Sequence, residues 1–254
     1  MGQALVIERL RHQRTLDMPA RSALLFPDPV LSGCIFAGIW RDTRGAVLSD
    51  EERFNHFPAS PLVSVTYVVS GRLRMVATGA GVQDAQVAPM MGNLTVVPPQ
   101  DAPVTSWSAS SIAAITVGFY PEAWEKLQGA GNTDDIQDAL VSAFSGIASS
   151  DDCNSCWAAF QDDIARRWHN ARTRTGIADW TGSHRVSDWA RSMLGRAAMA
   201  GPGRSARALE RRLRRWSRQS RQSLRFYADL ENLHRLSAQN PDLSPAMIAN
   251  DAGY

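Results

Sequence analysis

Arginine is concentrated in one short stretch of the sequence, residues 203–226 (GRSARALERRLRRWSRQSRQSLRF). The stretch contains nine arginines and one acidic residue, Glu210. A planar guanidinium group can bind phosphate through two hydrogen bonds, and it can read the O6 and N7 atoms of guanine in the major groove of DNA. A solvated helix face more often alternates positive and negative charges. The stretch therefore predicts a surface that binds nucleic acid, with a solvated face or a protein-binding surface as the alternative.

A helix that begins at Ser205 would position these arginines. Ser205 is a favourable N-cap residue. Helical spacing then places Ala206, Leu209, Leu213 and Trp216 on one apolar face. The arginines point elsewhere, as in a helix-turn-helix whose second helix enters the major groove. The candidate DNA-binding residues are Arg204, Ser205, Arg207, Arg211, Arg214, Arg215 and Arg218.

These residues resemble the DNA-binding domain of AraC-type transcriptional regulators. The family signature S-x-R-x-L-x-R-x-F/I-x-x-x-x-G-x-S/P builds the first recognition helix of that domain. Arg218 stands where the family has glycine, at a position that favours a left-handed helix C-cap. The signature is matched at Ser205, Arg207, Leu209, Arg211 and Leu213.

A second AraC-type motif, I-A-x-x-x-G-[FY], begins close to the last residue of the sequence. Its matches are Ile248, Ala249, Gly253 and Tyr254. The resemblance implies two helix-turn-helix units, of which the second is incomplete at Tyr254. With part of the phosphate contacts missing, we expect weaker DNA binding with a smaller salt dependence.

The charges of the chain support a division into two domains with different partners. Residues 1–184 carry 14 basic and 19 acidic side chains, whereas residues 185–254 carry 13 basic and 6 acidic ones. The net charges are therefore −5 and +7, and the basic part favours a polyanionic partner. The predicted domains are 1–175, an effector or dimerisation domain, and 184–254, an AraC-type DNA-binding domain.

The first 120 or so residues have the pattern of a β-rich domain. Segments of Val, Ile, Thr and aromatic residues alternate with Pro, Gly and Ser, which is typical of a sandwich or small barrel. The stretch HFPASPLVSVTYVVSG also resembles the cupin-like domain of AraC-type regulators. The predicted strands are 62–69, 72–77, 94–97 and 112–120.

Helical patterns follow from Pro121 onward. The predicted helices are 121–129, 134–144, 155–174, 185–200, 205–216, 220–238 and one from Ser244. The predicted fold class is therefore α+β, with an N-terminal β-rich cupin-like or sandwich domain followed by an all-α helix-turn-helix domain.

Aromatic residues of the β-rich domain are candidates for a small-ligand pocket. Arg72 or Arg74 could anchor a polar ligand there, whereas the alternative interpretation is an ordinary core with surface arginines. The candidate aromatic residues are Trp40, Tyr67, Trp107 and Phe119.

The sequence offers little that would support catalysis. The five histidines are scattered, and Cys153-Asn154-Ser155-Cys156 is a lone CxxC without a second ligand pair. We therefore predict no metal, no cofactor and no enzymatic activity, with a cupin-fold enzyme as a remaining alternative. No apolar run approaches the ~20 residues of a membrane span. Three cysteines, an odd and sparse set, fit the reducing cytoplasm.

The predicted function is sequence-specific DNA binding by a transcriptional regulator in the cytoplasm. Its expected partners are double-stranded DNA, a candidate small-molecule effector and a second copy of the chain in a homodimer, with no membrane partner. The alternative function is a truncated module that binds a ligand or dimerises without binding specific DNA.

Overall fold

The chain divides into two compact units, Met1–Trp180 and Thr181–Tyr254. The division falls in the interval between the two predicted domains, 1–175 and 184–254. The exact bounds of these domains remain a prediction. Antiparallel sheets occupy the N-terminal unit and helices the C-terminal unit, which confirms the predicted α+β class. The structure is a computed structural model that describes residues 21–130, 133–147, 152–175, 185–200 and 205–240, with Ser244 and Met247.

Two antiparallel sheets form the β-rich part of the N-terminal unit. The first has the strand order β1-β2-β8-β4-β6, and the second has the order β3-β7-β5. All four predicted strands are present within one or two residues of their predicted ends, whereas β1, β2, β3 and β7 were not predicted. The strands are β1 Arg21–Leu25, β2 Ile35–Asp42, β3 Phe54–Phe57, β4 Val63–Ser70, β5 Leu73–Val76, β6 Leu94–Val97, β7 Val104–Ser108 and β8 Ala113–Phe119.

Seven α-helices are present in the described part of the chain. Six of them were predicted from hydrophobic spacing and capping residues, and the short α1 was not. The predicted helix from Ser244 falls mostly outside the described residues, although Met247 N donates to Ser244 Oγ at 3.3 Å in the N-cap pattern. The helices are α1 Val82–Val87, α2 Pro121–Ala130, α3 Thr133–Phe144, α4 Cys153–Thr175, α5 Val186–Met199, α6 Ala206–Ser217 and α7 Arg221–Gln239.

The helices α2 to α4 pack together in the N-terminal unit and contact the five-stranded sheet. The predicted apolar stripe of α4 is confirmed, because Trp157, Phe160, Ile164 and Trp168 are all buried. The indole of Trp157 lies directly over Gly38 of β2, where an added Cβ would stand 2.8 Å from the ring. Only a glycine at this point of the strand lets the helix approach so closely.

The candidate ligand-pocket aromatics do not line one cavity. Trp40 stacks on Phe144 of α3 at 5.8 Å, and Phe119 contacts Trp124 of α2 at 5.3 Å. Trp107 instead packs in a separate cluster with Phe54 of the three-stranded sheet, and Tyr67 is half-buried. The alternative interpretation, an ordinary core, describes these side chains better.

The two candidate polar anchors are also placed differently from a pocket lining. Arg72 is exposed, and its guanidinium reaches Met90 Sδ at 3.8 Å. Arg74 donates to the backbone carbonyl of Ala88. These contacts attach Arg72 and Arg74 to the segment that follows α1.

The C-terminal unit is built around α5, which contacts both α6 and α7. The apolar residues follow helical spacing because only one face of each helix meets its neighbours. The buried residues are Val186, Trp189, Ala190, Met193 and Ala197 of α5, Ala208, Leu213 and Ser217 of α6, and Leu224 and Tyr227 of α7.

Among the helices that the structure describes, none is long and apolar enough to cross a membrane.

Candidate nucleic-acid interface

The helix α6 begins where the sequence predicts. Ser205 has extended backbone angles, and its hydroxyl oxygen accepts a hydrogen bond from Ala208 N at 3.2 Å. This bond satisfies one of the N–H groups that have no partner in the first turn of a helix. Ser205 therefore fixes the start of α6, which is a structural role for one of the candidate DNA-binding residues.

The apolar face of α6 differs in one residue from the predicted one. Ala206 is exposed, so its predicted place in the apolar stripe is wrong. Ala208 is buried instead, Leu213 is fully buried, and Leu209 and Trp216 are half-buried. The docking of α6 on α5 selects this register, and a single-helix pattern cannot show it because an alanine fits either face.

Five of the candidate arginines are exposed on α6 or at its end: Arg207, Arg211, Arg214, Arg215 and Arg218. In the part of the chain that the structure describes, no carboxylate pairs with Arg207, Arg211 or Arg215. Three guanidinium groups thus remain available to an external anion. Arg204 lies outside the described residues.

Arg212 and Arg214 engage neighbours within the unit. Arg212 is half-buried and donates to the Ala197 carbonyl at 3.0 Å, near the end of α5. Arg214 is exposed and pairs with Glu210 one turn earlier, with 3.2 Å between Nε and Oε1. The arginines of α6 therefore divide into a docking residue, a paired residue and a free set.

The turn after α6 has an unusual backbone. Arg218 is left-handed, with φ 58° and ψ 10°, and it is the only non-glycine residue with positive φ in the described ranges. Its N–H donates to the Arg214 carbonyl at 3.1 Å. The left-handed C-cap expected at this position is therefore present, even though arginine replaces the glycine that adopts it most readily.

Sequence reasoning did not identify the residues that hold α7 in place. Ser220 caps α7 by accepting from Ser223 N at 2.9 Å. The other oxygen of Glu210, Oε2, accepts from Arg221 N at 3.2 Å. Glu231 accepts from the N–H groups of Val186 and Ser187 at the start of α5. The only signal available was a capping serine before α7, because the two carboxylates act across long sequence separations.

Seven residues of α6 and α7 line an open groove of about 440 Å³. Most of the residues that line it are arginines, and Glu210 is the single acid. The lining residues are Ala206, Arg207, Leu209, Glu210, Arg211, Arg214 and Arg221.

The candidate metal and thiol chemistry of the sequence is not supported by geometry. Among the residues that the structure describes, no group of three or more His, Cys, Asp or Glu side chains could hold a metal ion. The three cysteines are free thiols. Burial raises the pKa of Cys34 far above the usual range of a thiol and raises that of Cys153 to about 12. Both thiols therefore stay protonated at neutral pH, which disfavours them as nucleophiles or metal ligands.

Comparison with known proteins gives little similarity. No protein-family profile matches the chain, and no curated protein matches it. Among solved structures, the chain is similar to one titled "Phpd with cadmium complexed with hydroethylphosphonate (HEP)", at 15% sequence identity and a TM-score of 0.24. The match covers 74% of this chain, and it spans only 44% of the length of that one.

This comparison corrects one prediction. The sequence predicts no enzymatic activity, whereas the solved structure holds a protein with bound cadmium and a small phosphonate. The prediction that the chain has no enzymatic activity is withdrawn and is not carried further. A TM-score of 0.24 gives no argument about the chemistry of this chain.

Proposed function

We propose that the C-terminal unit binds double-stranded DNA through α6 and that the chain is a transcriptional regulator of the AraC type. The observation that carries the proposal is the division of α6 into two faces. One face is anchored on α5 through Leu213 and Arg212, and the other presents Arg207, Arg211 and Arg215 without a carboxylate partner in the described residues. A rigid helix with free guanidinium groups on its exposed side suits the major groove.

The local structure of α6 agrees with the motif on which the AraC resemblance rests. Ser205 caps the helix, and Leu213 is the fully buried anchor. Arg218 has the left-handed conformation that the glycine of the family signature favours. These three positions have the roles that a recognition helix followed by a tight turn requires, which supports the proposal at the level of local geometry.

The arginines of α6 receive different roles in this proposal. Arg207 and Arg211 lie four residues apart, so they share one side of the helix and can reach adjacent base edges or phosphates. Arg215 continues the same side by one more turn. Arg218, together with Arg204, would add phosphate contacts, whereas the charge of Arg214 is already paired with Glu210.

For the N-terminal unit we propose a cupin-like fold that senses a small molecule, dimerises, or does both. Its two antiparallel sheets pack against each other through Val68 and Ala114 of one sheet and Leu73 of the other. Small hydroxyl side chains support a polar interior, because Thr66 and Thr116 hydroxyls lie 2.9 Å apart. Ser108 Oγ is buried and has no hydrogen-bond partner among the described residues. We also propose a cytoplasmic location, where such a regulator reaches DNA.

The test is duplex binding by the full chain and by the variants Arg207→Ala and Arg211→Ala. Each substitution removes one guanidinium without touching the buried face, so we expect weaker binding by about 1–3 kcal/mol if a base is contacted, with an unchanged melting temperature. Arg166→Ala, which removes an exposed arginine of the N-terminal unit, is the control and should bind like the unmodified chain.

The alternative function is a ligand-binding or dimerising module without specific DNA binding. It would be supported if the two α6 variants and the control variant all bind duplexes with the affinity of the unmodified chain. In that case the arginines of α6 serve as a solvated or protein-binding face.

A further inference from the structure

The arginine groove, defined by the seven lining residues given above, contains one negative charge in a strongly positive setting. Four of its residues are arginines on two helices: Arg207, Arg211 and Arg214 on α6 and Arg221 at the first position of α7. Glu210 stands among them, with about one third of its side chain exposed. A negative charge at this position weakens the attraction of the groove for any external anion.

Glu210 uses both of its carboxylate oxygens within the groove. Oε1 accepts from Arg214 Nε at 3.2 Å, and Oε2 accepts from Arg221 N at 3.2 Å. A guanidinium group together with a backbone N–H at a helix N-terminus is the combination that also binds a phosphate. Glu210 therefore occupies, with its own carboxylate, a position that would otherwise suit a phosphate group.

The charges of the other arginines of the groove are not offset by a carboxylate in the described residues. Arg207, Arg211 and Arg221 are exposed, and no carboxylate pairs with them in the described ranges. Arg214 is equally exposed, yet its charge is already offset by Glu210. Exposure alone would give the four arginines the same role, whereas pairing separates Arg214 from the rest.

We propose that Glu210 is a specificity-determining residue that lowers the sequence-independent affinity of the arginine groove for the phosphate backbone of DNA. This inference rests on the proposed DNA-binding function of α6. Glu210 neutralises Arg214 and covers the α7 N-terminus, so the net attraction for phosphates comes from the free arginines. A smaller phosphate contribution leaves a larger share of the binding free energy to base contacts, which alone distinguish sequences.

The experiment is a double-mutant cycle on Glu210 and Arg214 in the full chain. The probe is a short fluorescein-labelled duplex of mixed sequence, and its affinity is measured by anisotropy over a series of KCl concentrations. Glu210→Gln keeps the side-chain shape and a neutral acceptor for Arg221 N but removes the charge. Asp229→Asn is the control, because Asp229 is a partly exposed acid of α7, paired with Arg225, and its substitution changes the net charge equally.

Glu210→Gln should bind the mixed duplex about fourfold more tightly, from the removal of one repulsive charge a few ångströms from a phosphate. Its plot of log affinity against log salt should steepen by about 0.9, the value for one added phosphate contact. Asp229→Asn should change the affinity by less than about twofold, because its charge is screened and outside the groove.

Arg214 supplies the second half of the cycle. In the unmodified chain, Arg214→Gln should weaken binding by less than about twofold, since the charge that it removes is already paired. In the Glu210→Gln background the same substitution should weaken binding about fourfold, because Arg214 is then free. Arg211→Gln should weaken binding by a similar factor in both backgrounds. Thermal melting of each variant separates a loss of folding from a loss of binding.

The outcomes distinguish the inference from the function on which it rests. If the unmodified chain binds and Glu210→Gln behaves like Asp229→Asn, the inference is wrong and the proposed function stands. If only Glu210→Gln binds, Glu210 keeps the groove closed to DNA; the inference then holds and the proposed function of the unmodified chain does not. If neither binds any duplex, both are wrong.

Discussion

Glu231 of α7 caps the start of α5 by binding Val186. Its Oε1 accepts from Val186 N at 2.8 Å, and its Oε2 accepts from Ser187 N at 2.9 Å. Arg185, the N-cap residue of α5, provides no side-chain cap of its own. The carboxylate therefore satisfies two N–H groups of the first turn, and its negative charge interacts favourably with the positive end of the helix.

Removal of this cap should destabilise the C-terminal unit. We expect Glu231→Ala to lower the free energy of unfolding of this unit by about 1–2 kcal/mol, since two charge-assisted hydrogen bonds are lost. Hydrogen exchange of the backbone amides of α5 and α7 over a series of denaturant concentrations measures the change. Asp229→Ala, which removes a partly exposed acid two residues away, is the control and should change stability by less than about 0.5 kcal/mol.

The left-handed backbone conformation of Arg218 leads us to expect that a substitution at this position stabilises the C-terminal unit. Arg218→Gly should raise the free energy of unfolding by about 1 kcal/mol, because glycine adopts this backbone conformation without the cost that a Cβ imposes. Thermal melting measures the shift. Arg215→Gly is the matched control: the same change inside α6 should lower stability by about 1 kcal/mol. A loss of stability on Arg218→Gly would show that the arginine side chain contributes more than the backbone costs.

Close packing over Gly38 makes the N-terminal unit sensitive to a single methyl group. Gly38→Ala would place a Cβ 2.8 Å from Cζ3 of Trp157, so the sheet and α4 would have to separate. We expect a loss of about 1–3 kcal/mol in the free energy of unfolding, as for other overpacked cores. Gly129→Ala in α2 is the control, because nothing lies within 4 Å of the new Cβ and the helix should gain stability. Equal melting temperatures for both variants would contradict the close contact between Gly38 and Trp157.

The buried thiols predict a decrease in stability at alkaline pH. Desolvation raises the pKa of Cys34 and Cys153 in the folded state, so these thiols stay protonated there after the unfolded thiols have ionised. The folded state then binds more protons than the unfolded state, and the free energy of unfolding falls as the pH rises above about 8.5. The slope should be about 1.4 kcal/mol per pH unit for each fully protected thiol.

Substitution of the thiols provides the control for this pH dependence. Cys34→Ala should reduce the slope of the free energy of unfolding between pH 8.5 and 10 by about one thiol's contribution. Cys156→Ala should reduce it less, because Cys156 is half-buried and its pKa is raised less clearly by burial. A stability profile that is flat over this range would show that the buried thiols ionise at their ordinary pKa.

The parts of the fold that depend on local sequence could be predicted. The alternation of LVSVTYVV gave β4, and the stripe from Trp157 to Trp168 gave α4, because each pattern records which face of one element is buried. Ser205 and the glycine position of the signature gave both ends of α6. These features need only the few residues that form them.

The parts that depend on long-range contacts could not be predicted. Ala206 and Ala208 are equivalent in sequence, and only the docking of α6 on α5 decides which is buried. Glu231 lies 45 residues from Val186, so no local pattern links the two. In the sequence, Glu210 is a single acid among arginines. It contacts both Arg214 and Arg221 only because the turn at Arg218 brings the start of α7 back to α6.

The most direct test of the central claim is to let the full chain select duplexes from a random-sequence library. The selected duplex and a scrambled duplex are then titrated by anisotropy at two salt concentrations. We expect the selected duplex to bind at least about tenfold more tightly at both salt concentrations, the minimum for one base pair read by a guanidinium. The preference should be lost in Arg207→Ala and Arg211→Ala. Equal affinity for the selected and scrambled duplexes, with unchanged affinity in both variants, would contradict the claim that α6 reads DNA.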